Sequence, residues 1–399
     1  MRALRRFAVT GAGHLSWLKR YNGPDLRQGL DLTPHINAVG TAVPPHDVHD
    51  VFIEWARGQV EPRALKLFDR MAGRSGIRHR WSVLPKTAFQ ARSGEHGFYH
   101  GSFPGTAARM EVYAETAPEL ALEAIADLHT RADLAGITHI VVASCTGFVA
   151  PGIDQIIARR LDLAPSVERL LVGFMGCYAA VAALRSARHI VRSDPRARVL
   201  VVTVELCTLH LQDTGELEPL LAMLQFGDGA AAALVTADVQ GFAIDQPFAT
   251  TLPESHELIR WNITDQGFVM HLSGEVPNRI AQALSRQAVA KAATGGRAPT
   301  DIDGWAVHAG GRSILDSVQS AFSLPGDALD ASRAVLNDYG NMSSATLMFV
   351  LKRLLAGPPV VQGLALAFGP GLAAEGFGFR SAVSRTRERD AAPAELTAA

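Results

Sequence analysis

The feature that most constrains the fold of this chain is a repeated alternation of helical patterns with short apolar runs. Ala121, Ile125 and Leu128 lie on one face of a predicted helix, and the apolar run at 137–143 that follows is typical of a buried strand. The same succession then repeats as a strand, a helix and a strand at 168–174, 177–192 and 198–205. Strands that alternate with helices predict an α/β fold in which parallel strands are covered by helices on both faces.

A second half of the chain repeats this order of elements after the Gly227-Asp228-Gly229 turn and a small-residue strand at 230–235. Its predicted elements are a helix with Ile280, Leu284 and Ala288 on one face, a strand at 304–308, helices at 313–321 and 344–355, and a strand at 360–368. We therefore divide the chain into an N-terminal extension (1–35), a first half (36–235), a second half (236–383) and a tail (384–399). The tail is charged and rich in Ala and Pro, so we expect it to be mobile.

Charge and composition exclude several classes of protein. The 38 Lys and Arg residues balance 39 Asp and Glu, a net charge of −1, which argues against a nucleic-acid binder. No run approaches the ~18 consecutive apolar residues of a membrane span, and the apolar stretch near the start is too short for a secretory signal. We therefore expect a cytoplasmic protein with no integral membrane association. Three widely spaced cysteines, Cys145, Cys177 and Cys207, fit neither a disulfide scaffold nor a cysteine-rich zinc site.

Cys177 follows Gly176 at the point where a predicted strand gives way to a helix of small residues. The positive end of a helix dipole lowers the pKa of a thiol and favours the nucleophilic thiolate. For a cysteine taken alone, packing as a small buried hydrophobe is the commoner role. The position at the end of a strand shifts the interpretation toward a nucleophile, because ligands of α/β sheets bind at the carboxyl ends of strands.

Two further residues have a similar setting beside glycine. His308 ends an apolar strand and precedes Gly310 and Gly311, so it is placed to activate a thiol or to donate to a developing oxyanion. Asn341 follows Gly340 and precedes a predicted helix, whose N-cap is either Asn341 or Ser343. Taken singly, a structural histidine and a helix cap explain these residues. Together with Cys177 they supply what is needed to form a thioester and stabilise an enolate.

With this combination the sequence resembles the type III polyketide synthases, the chalcone synthase-like enzymes, over about residues 36–380. Five segments follow the family's order: Gly176-Cys177-Tyr178-Ala179, Phe226-Gly227-Asp228-Gly229-Ala230, His308-Ala309-Gly310-Gly311, Gly340-Asn341-Met342-Ser343-Ser344 and Phe368-Gly369-Pro370-Gly371. Departures from the plant pattern around His210 and at 97–110 favour a bacterial branch.

The resemblance implies a thiolase-type fold with two duplicated α/β halves, mixed sheets between helix layers, and a homodimer. It implies that Cys177 accepts an acyl group from a coenzyme A starter. Malonyl-CoA then loses carbon dioxide while His308 and Asn341 stabilise the enolate that attacks the thioester. No metal, nicotinamide or flavin is implied, and the expected partners are acyl-CoA and malonyl-CoA. The cavity residues that the resemblance implies are Phe226 at the mouth, Met270, Trp261, Cys145, Thr146, Ser343, Gly369, Pro370 and Gly371.

Coenzyme A carries phosphates, so the mouth of its tunnel is expected to carry basic groups. Residues 68–77 resemble the family's tunnel entrance, with Arg70 and Arg74 at two basic positions and Leu67 at a third. A solvated helix face is the alternative for these charges. Cys145 and Cys207 are expected mainly to pack in buried positions, with the shaping of the pocket as the alternative.

Other functions share parts of this pattern. A chain-initiating ketoacyl-carrier-protein synthase uses the same Cys, His and Asn set, and a noncatalytic acyl-CoA-binding subunit could share the scaffold. An enzyme like HMG-CoA synthase would need a catalytic glutamate, and the sequence reveals none. Met270, where plant enzymes place a gatekeeping phenylalanine, and the bulky Trp261 favour a fatty acyl starter, with an alkylpyrone or an alkylresorcinol as the product.

Overall fold

The computed structural model describes residues 32–89, 97–99 and 101–382. Most of the predicted N-terminal extension, part of the 97–110 segment and the whole predicted tail lie outside these residues. The division of the chain at residue 235 stays a prediction. Within the described residues, no helix is both long and apolar enough to cross a membrane.

Strands and helices alternate through most of the described chain. The strands are β1 (His35–Ala42), β2 (His46–Asp47), β3 (Trp81–Ser82), β4 (His139–Ser144), β5 (Glu168–Gly173), β6 (Val199–Leu206), β7 (Asp228–Thr236), β8 (Phe242–Thr251), β9 (Ile259–Thr264), β10 (Gly267–Leu272), β11 (Gly304–Val307), β12 (Gly363–Gly369) and β13 (Ala373–Ser381). The helices are α1 (His49–Gln59), α2 (Leu65–Ala72), α3 (Thr106–His129), α4 (Ile153–Arg160), α5 (Ala179–Ser193), α6 (Leu217–Met223), α7 (Val276–Leu284), α8 (Gln287–Thr294), α9 (Arg312–Ala321), α10 (Asp330–Tyr339) and α11 (Ala345–Leu355).

Both halves contribute to one nine-stranded sheet in the order β11-β12-β13-β8-β1-β7-β6-β4-β5. The seam between them is short, because β1 and β8 pair only through His35 with Ala243 and Ile36 with Phe242. The pairs β4–β5, β4–β6 and β11–β12 are parallel, and the other pairs of this sheet are antiparallel. The strand alternation alone predicted parallel strands, so the mixed sheet that the resemblance implied is the better description.

Alternate residues of the central strands enter two different cores. Val142 and Val202 pack with α3, whereas Val141 and Val201 pack with α5 and α11 on the opposite face. Helices α5 and α11 are buried on nearly all sides. A third core joins α7 and α9 to β11 and β12. In each half, the strands of the shared sheet lie between layers of helices, and α5 and α11 form the inner layer that both halves share.

Two local predictions were wrong. The helix expected to carry Ile280, Leu284 and Ala288 on one face is broken, since α7 ends at Leu284 and α8 begins at Gln287. The apolar run at 168–174 was expected to be covered on both faces. It forms β5 at the end of the sheet, where Leu170 and Leu171 are 43% and 45% exposed.

Candidate active site

Cys177 lies in a 3₁₀ turn at Gly176–Tyr178, directly before α5 and after β5. The turn depends on close packing against the end of β12. A Cβ on Gly176 would lie 2.4 Å from Cδ of Pro370, and a Cβ on Gly369 would lie 3.3 Å from the Cys177 nitrogen. Gly176 also has a φ of +74°, which favours glycine. The segment Gly369–Gly371 therefore forms the backing of the Cys177 turn.

The thiol of Cys177 is buried, and burial raises its pKa to about 12. Hydrogen bonds with the side chains of Ser343 and Asn341 oppose this rise. The expected lowering of the thiol pKa at the helix start is therefore wrong in its net direction. Desolvation outweighs the dipole of the following helix, because a thiolate loses its hydration in a closed cavity.

Asn341 is held by its side-chain oxygen. Oδ1 accepts a hydrogen bond from the backbone N–H of Ser343 at 2.8 Å, and Nδ2 donates to the carbonyl oxygen of Gly310 at 3.2 Å. These partners assign the amide, so the second N–H of Nδ2 remains for Cys177 or a substrate. Helix α11 begins at Ala345 with Ser344 in the N-cap position, so neither Asn341 nor Ser343 occupies the position expected of the cap.

His308 follows β11 and is 1% exposed. Neither ring nitrogen has a hydrogen-bond partner among the described residues. A Cβ on Gly310 would lie 3.4 Å from Nε2 of His308, so the imidazole ring rests against Gly310. The carbonyl oxygen of Gly310 is the one that accepts the hydrogen bond from Asn341. Burial lowers the pKa of His308 to about 3, which keeps the imidazole neutral at pH 7.

Glu205 is a buried carboxylate of this site that sequence reasoning missed. It ends the apolar strand β6 with no exposed surface. It accepts hydrogen bonds from the Cys145 backbone at 3.0 Å, from the Thr146 hydroxyl at 2.8 Å and from the Ser344 hydroxyl. Burial raises its pKa, and these hydrogen bonds oppose the rise. The acid inside an otherwise apolar strand was the available signal.

Cys145 and Ser343 connect Glu205 to the Cys177 side of the site. The thiol of Cys145 lies 3.4 Å from Glu205 and 3.2 Å from the Ser343 hydroxyl, which in turn hydrogen-bonds with Cys177. Burial also raises the pKa of the Cys145 thiol well above its ordinary value. Cys145, Thr146 and Ser343 thus form one hydrogen-bonded wall beside Cys177.

A cavity of about 260 Å³ is linked to this wall through Trp261, but neither the wall residues nor Cys177, His308 or Asn341 are part of its lining. Its lining includes Phe226, Met270, Trp261 and Cys207, together with apolar side chains from α1 and α6. Trp261 and Met270 are direct cross-strand partners in the β9–β10 hairpin. The indole Nε1 of Trp261 donates to the carbonyl oxygen of Cys145 at 2.8 Å, which ties the hairpin to the wall.

His210 provides the second attachment of the hairpin. Its Nδ1 accepts the backbone N–H of Phe268 at 3.1 Å, so Nε2 carries the proton that is donated to the carbonyl oxygen of Thr146 at 2.7 Å. The imidazole stacks on the Phe268 ring with centroids 4.3 Å apart. Burial lowers the pKa of His210 to about 3.

Arg70 and Arg74 line an open surface cavity of about 790 Å³, together with Leu67. Sequence reasoning missed a third cation here, since Arg312 at the start of α9 lines the same cavity. Its Nη1 donates to the carbonyl oxygen of Arg74 at 3.4 Å. Arg312 therefore adds a third guanidinium to the cavity in which Leu67 carries no charge.

Within residues 32–89, 97–99 and 101–382, no group of three or more His, Cys, Asp or Glu side chains is arranged to hold a metal ion. The expectation that no metal is used stays a prediction. The roles expected of Cys177, His308 and Asn341 also stay predictions, although the Asn341 side chain lowers the pKa of the Cys177 thiol and Gly310 contacts both Asn341 and His308.

Comparison with known proteins places this site in a family. A profile described as "Chalcone and stilbene synthases, N-terminal domain" matches residues 29–239, and the profile of the C-terminal domain matches residues 244–383. Bisdemethoxycurcumin synthase from Oryza sativa subsp. japonica is 34% identical, over 86% of this chain and 92% of the relative. The "Alpha-pyrone synthesis polyketide synthase-like Pks18" of Mycobacterium tuberculosis is 33% identical, over 68% of this chain and 72% of the relative.

Solved structures agree with the sequence matches. The crystal structure of PKS-I from the brown alga Ectocarpus siliculosus superimposes with a TM-score of 0.78 at 29% identity, over 88% of this chain and 98% of that one. The type III polyketide synthase domain of Steely1 from Dictyostelium has the same fold, with a TM-score of 0.79 at 24% identity, over 88% and 100% of the two chains. The predicted thiolase-type α/β fold is confirmed. This chain therefore belongs to the chalcone and stilbene synthase family and is a type III polyketide synthase, an acyltransferase that catalyses decarboxylative condensation.

Proposed function

We propose that this enzyme loads a fatty acyl starter from coenzyme A onto Cys177 and extends it with malonyl-CoA. One observation carries the assignment of roles. His308 is buried, neither of its ring nitrogens has a partner among the described residues, and its ring rests against Gly310, whose carbonyl oxygen accepts a hydrogen bond from Asn341. A buried polar group without a partner is costly to keep, so its persistence at this position supports a role toward a substrate.

Acylation needs a base, because the raised pKa keeps the Cys177 thiol protonated at rest. The neutral His308 imidazole takes that proton as sulfur attacks the thioester carbon of the starter. The carbon–sulfur bond to coenzyme A then breaks, and the proton passes from His308 to the departing coenzyme A sulfur. The starter is left as a thioester on Cys177.

Extension begins when the carbon–carbon bond to the carboxylate of malonyl-CoA breaks and carbon dioxide leaves. The electron pair becomes an enolate, whose oxygen accepts hydrogen bonds from the N–H groups of His308 and Asn341. The enolate carbon attacks the thioester carbon on Cys177, and the Cys177 sulfur leaves as the thiolate. The lengthened chain is then attached to coenzyme A.

The cavity supports a starter with an alkyl chain. Its lining includes the apolar Val48, Phe52, Phe89 and Leu211 beside polar groups such as Arg80, and Met270 bends more easily than an aromatic ring. A relative that is 33% identical is named for alpha-pyrone synthesis. We therefore propose an alkylpyrone as the product, with an alkylresorcinol as the alternative.

The tunnel mouth supports binding of the coenzyme. Arg70, Arg74 and Arg312 converge on one surface cavity, and guanidinium groups bind phosphate oxygens in pairs of hydrogen bonds. We propose that all three contact the phosphates of coenzyme A. No metal, nicotinamide or flavin enters these steps.

The end of the sheet supports a homodimer. Strand β5 is the last strand of the sheet, and one of its edges is unpaired within the described part of the chain. Two of its residues, Leu170 and Leu171, are exposed. Long exposed apolar edge strands are protected in native proteins by pairing or covering. We propose that a second copy pairs there around a two-fold axis. We also propose a cytoplasmic location, which the three free cysteines support.

The test is incubation of the purified enzyme with labelled malonyl-CoA and a series of acyl-CoA starters. Release of pyrones from medium- or long-chain starters without a carrier protein is the expected result. A single condensation that requires an acyl carrier protein would favour the chain-initiating ketoacyl synthase. Binding of acyl-CoA without turnover would favour the noncatalytic subunit. Preference for an aromatic starter would overturn the starter assignment alone.

A further inference from the structure

Arg80 is a buried cation that the proposed chemistry leaves unused. It is 2% exposed and lies between β2 and the loop after α6. Its Nη1 donates to the carbonyl oxygen of Phe226 at 2.8 Å and to that of Met223 at 3.1 Å. Its guanidinium carbon lies 4.5 Å from the centroid of the Phe52 ring. Arg80 therefore holds the backbone of the residue at the cavity mouth.

The backbone that Arg80 holds is bonded directly to Asn341. The N–H of Gly227 donates to the carbonyl oxygen of Asn341 at 3.0 Å, and the N–H of Asn341 donates to the carbonyl oxygen of Gln225 at 2.8 Å. These two bonds form a bridge between Phe226 and Asn341. A displacement of the Phe226 backbone is thus transmitted to Asn341.

Arg80 also touches the loop of Asn341 from its other side. A Cβ on Gly340 would lie 2.9 Å from the Cγ of Arg80, so the aliphatic stem rests against this glycine. Gly340 has a φ of +68°, which orients the turn that presents Asn341. The next residue along the chain, Trp81, donates from its indole to the carbonyl oxygen of Asp338 at 3.0 Å.

The Nε atom and the backbone of Arg80 are also hydrogen-bonded. Its Nε donates to Nδ1 of His49 at 3.1 Å. The backbone N–H of Arg80 donates to Asp47 at 3.2 Å, and its carbonyl oxygen accepts the N–H of Val48 at 2.8 Å. Because both its guanidinium and its backbone are hydrogen-bonded, Arg80 has a fixed position between the first half of the chain and the loop of Asn341.

We propose that Arg80 is a positioning residue for decarboxylation, which sets the place of the Asn341 amide through Phe226 and Gly340. This inference rests on the proposed function of Asn341. Misplacing a catalytic group by a fraction of an ångström lowers the rate of the step that it serves. Acylation of Cys177 depends on the sulfur and on His308, so it is expected to tolerate the change.

The test measures two reactions in Arg80→Lys, which retains a buried cation but reaches one carbonyl instead of two. The first is the single-turnover rate of acylation of Cys177 by an acyl-CoA, followed by mass spectrometry. The second is the release of carbon dioxide from malonyl-CoA. We expect the kcat for decarboxylation to fall by about 10- to 100-fold, with acylation within about threefold of wild type. Asn341→Ala is expected to show the same split and serves as the reference.

Arg109 offers a matched control. Like Arg80, it is a buried arginine whose Nη2 has no partner among the described residues. Its hydrogen bonds go to the carbonyl oxygens of Pro104, Leu209 and Leu211 and, among the described residues, none goes to the loop of Asn341, so Arg109→Lys is expected to leave the ratio of the two rates unchanged. An equal split in Arg109→Lys would overturn the inference.

A second variant covers the case in which Arg80→Lys does not fold. His49→Leu removes the acceptor of Nε while Arg80 itself remains, and we expect a split of about threefold in the same direction. An unchanged ratio in the variants that fold overturns the positioning role, as does a raised KM for malonyl-CoA with kcat unchanged, which would mean direct substrate contact. A wild-type enzyme inactive in both reactions would overturn the proposed function and this inference together.

Discussion

His210 and His308 stand in two regions of the same site and have opposite surroundings. Both imidazoles are buried, and burial lowers the pKa of each to about 3. His210 in the hairpin wall uses both ring nitrogens, toward Phe268 and Thr146, whereas His308 at the end of β11 uses neither. Titration therefore does not distinguish a structural histidine from a catalytic one. The hydrogen-bond inventory does, because only His308 has both nitrogens available to a substrate.

The largest expected effect defines the catalytic side of this comparison. Cys177→Ala removes the sulfur but keeps a small residue in the 3₁₀ turn, so we expect no acyl adduct and a nearly unchanged fold. Mass spectrometry after incubation with an acyl-CoA checks this, with circular dichroism as the control for folding. An adduct on Cys145 or Cys207 in the variant would show that the nucleophile has been assigned wrongly.

His308→Gln is expected to lower decarboxylation of malonyl-CoA by ~100-fold or more, since the imidazole N–H that is proposed to hydrogen-bond the enolate oxygen is lost. The free energy of unfolding is expected to stay about the same, because the variant exchanges one buried polar group without partners for another. Carbon dioxide release and urea titration measure the two quantities. A loss of stability similar to the loss expected for His210 would remove the distinction between the two histidines.

His210→Leu is expected to lower the free energy of unfolding while leaving decarboxylation nearly unchanged. It leaves the N–H of Phe268 and the carbonyl oxygen of Thr146 unpaired, which costs roughly 3 kcal/mol of unfolding free energy. Decarboxylation is expected to stay within about threefold of wild type, because the side chain does not act on malonyl-CoA. If decarboxylation instead falls as far as in His308→Gln, His210 belongs to the chemistry and not to the wall.

Trp261→Gly tests the hairpin side of the cavity, because it removes the indole while both histidines remain in the chain. The indole packs edge-on against His210 at a centroid distance of 5.5 Å and fills part of the cavity. We expect the polyketide to grow by one extension or more while the rate of starter loading changes little. Chromatography of the products checks the chain length, with Trp261→Phe as the control that keeps an aromatic ring at this position. An unchanged product profile would contradict the role of Trp261 in limiting the chain.

The smallest effect concerns pH, where the two histidines should behave alike. A folded-state pKa below the unfolded value means that the unfolded chain binds the proton first as the pH falls. Stability is therefore complete above about pH 6.5 and declines toward pH 3, by up to ~1.4 kcal/mol per pH unit for each histidine. In His308→Gln and in a matched His210→Gln, unfolding titrations at pH 7 and 5 should show a smaller decline than wild type. Asp228, whose pKa burial raises to about 6, acts in the opposite direction in all three proteins and cancels in the comparison.

Local patterns in the sequence reached the α/β class and the junctions that carry the candidate catalytic residues, whereas the mixed thiolase-type sheet came from the family resemblance. Apolar runs and glycine junctions indicated β4, β6 and the turn of Cys177 directly. Glu205 was missed, since one acid at the end of an apolar strand gives no sign of its four buried hydrogen-bond donors. Arg312 was missed because only the folded chain brings it beside Arg70.

Two physical expectations also failed for a reason that no local pattern contains. The thiol pKa of Cys177 depends on how completely the cavity excludes water, and not on the helix that follows. The apolar run of β5 predicted a covered strand, whereas in the single chain its leucines are exposed. Cover for these leucines depends on what lies beyond the chain, which its own sequence pattern does not specify.

The short seam between β1 and β8 has a consequence for protein engineering. Cys177 lies on one side of it, and His308 and Asn341 lie on the other, with the exposed Val239 in the connection between β7 and β8. A chain cut at that connection would yield two fragments, each lacking part of the catalytic set. Polyketide formation would then report their reassembly, so the enzyme is a natural candidate for a split reporter.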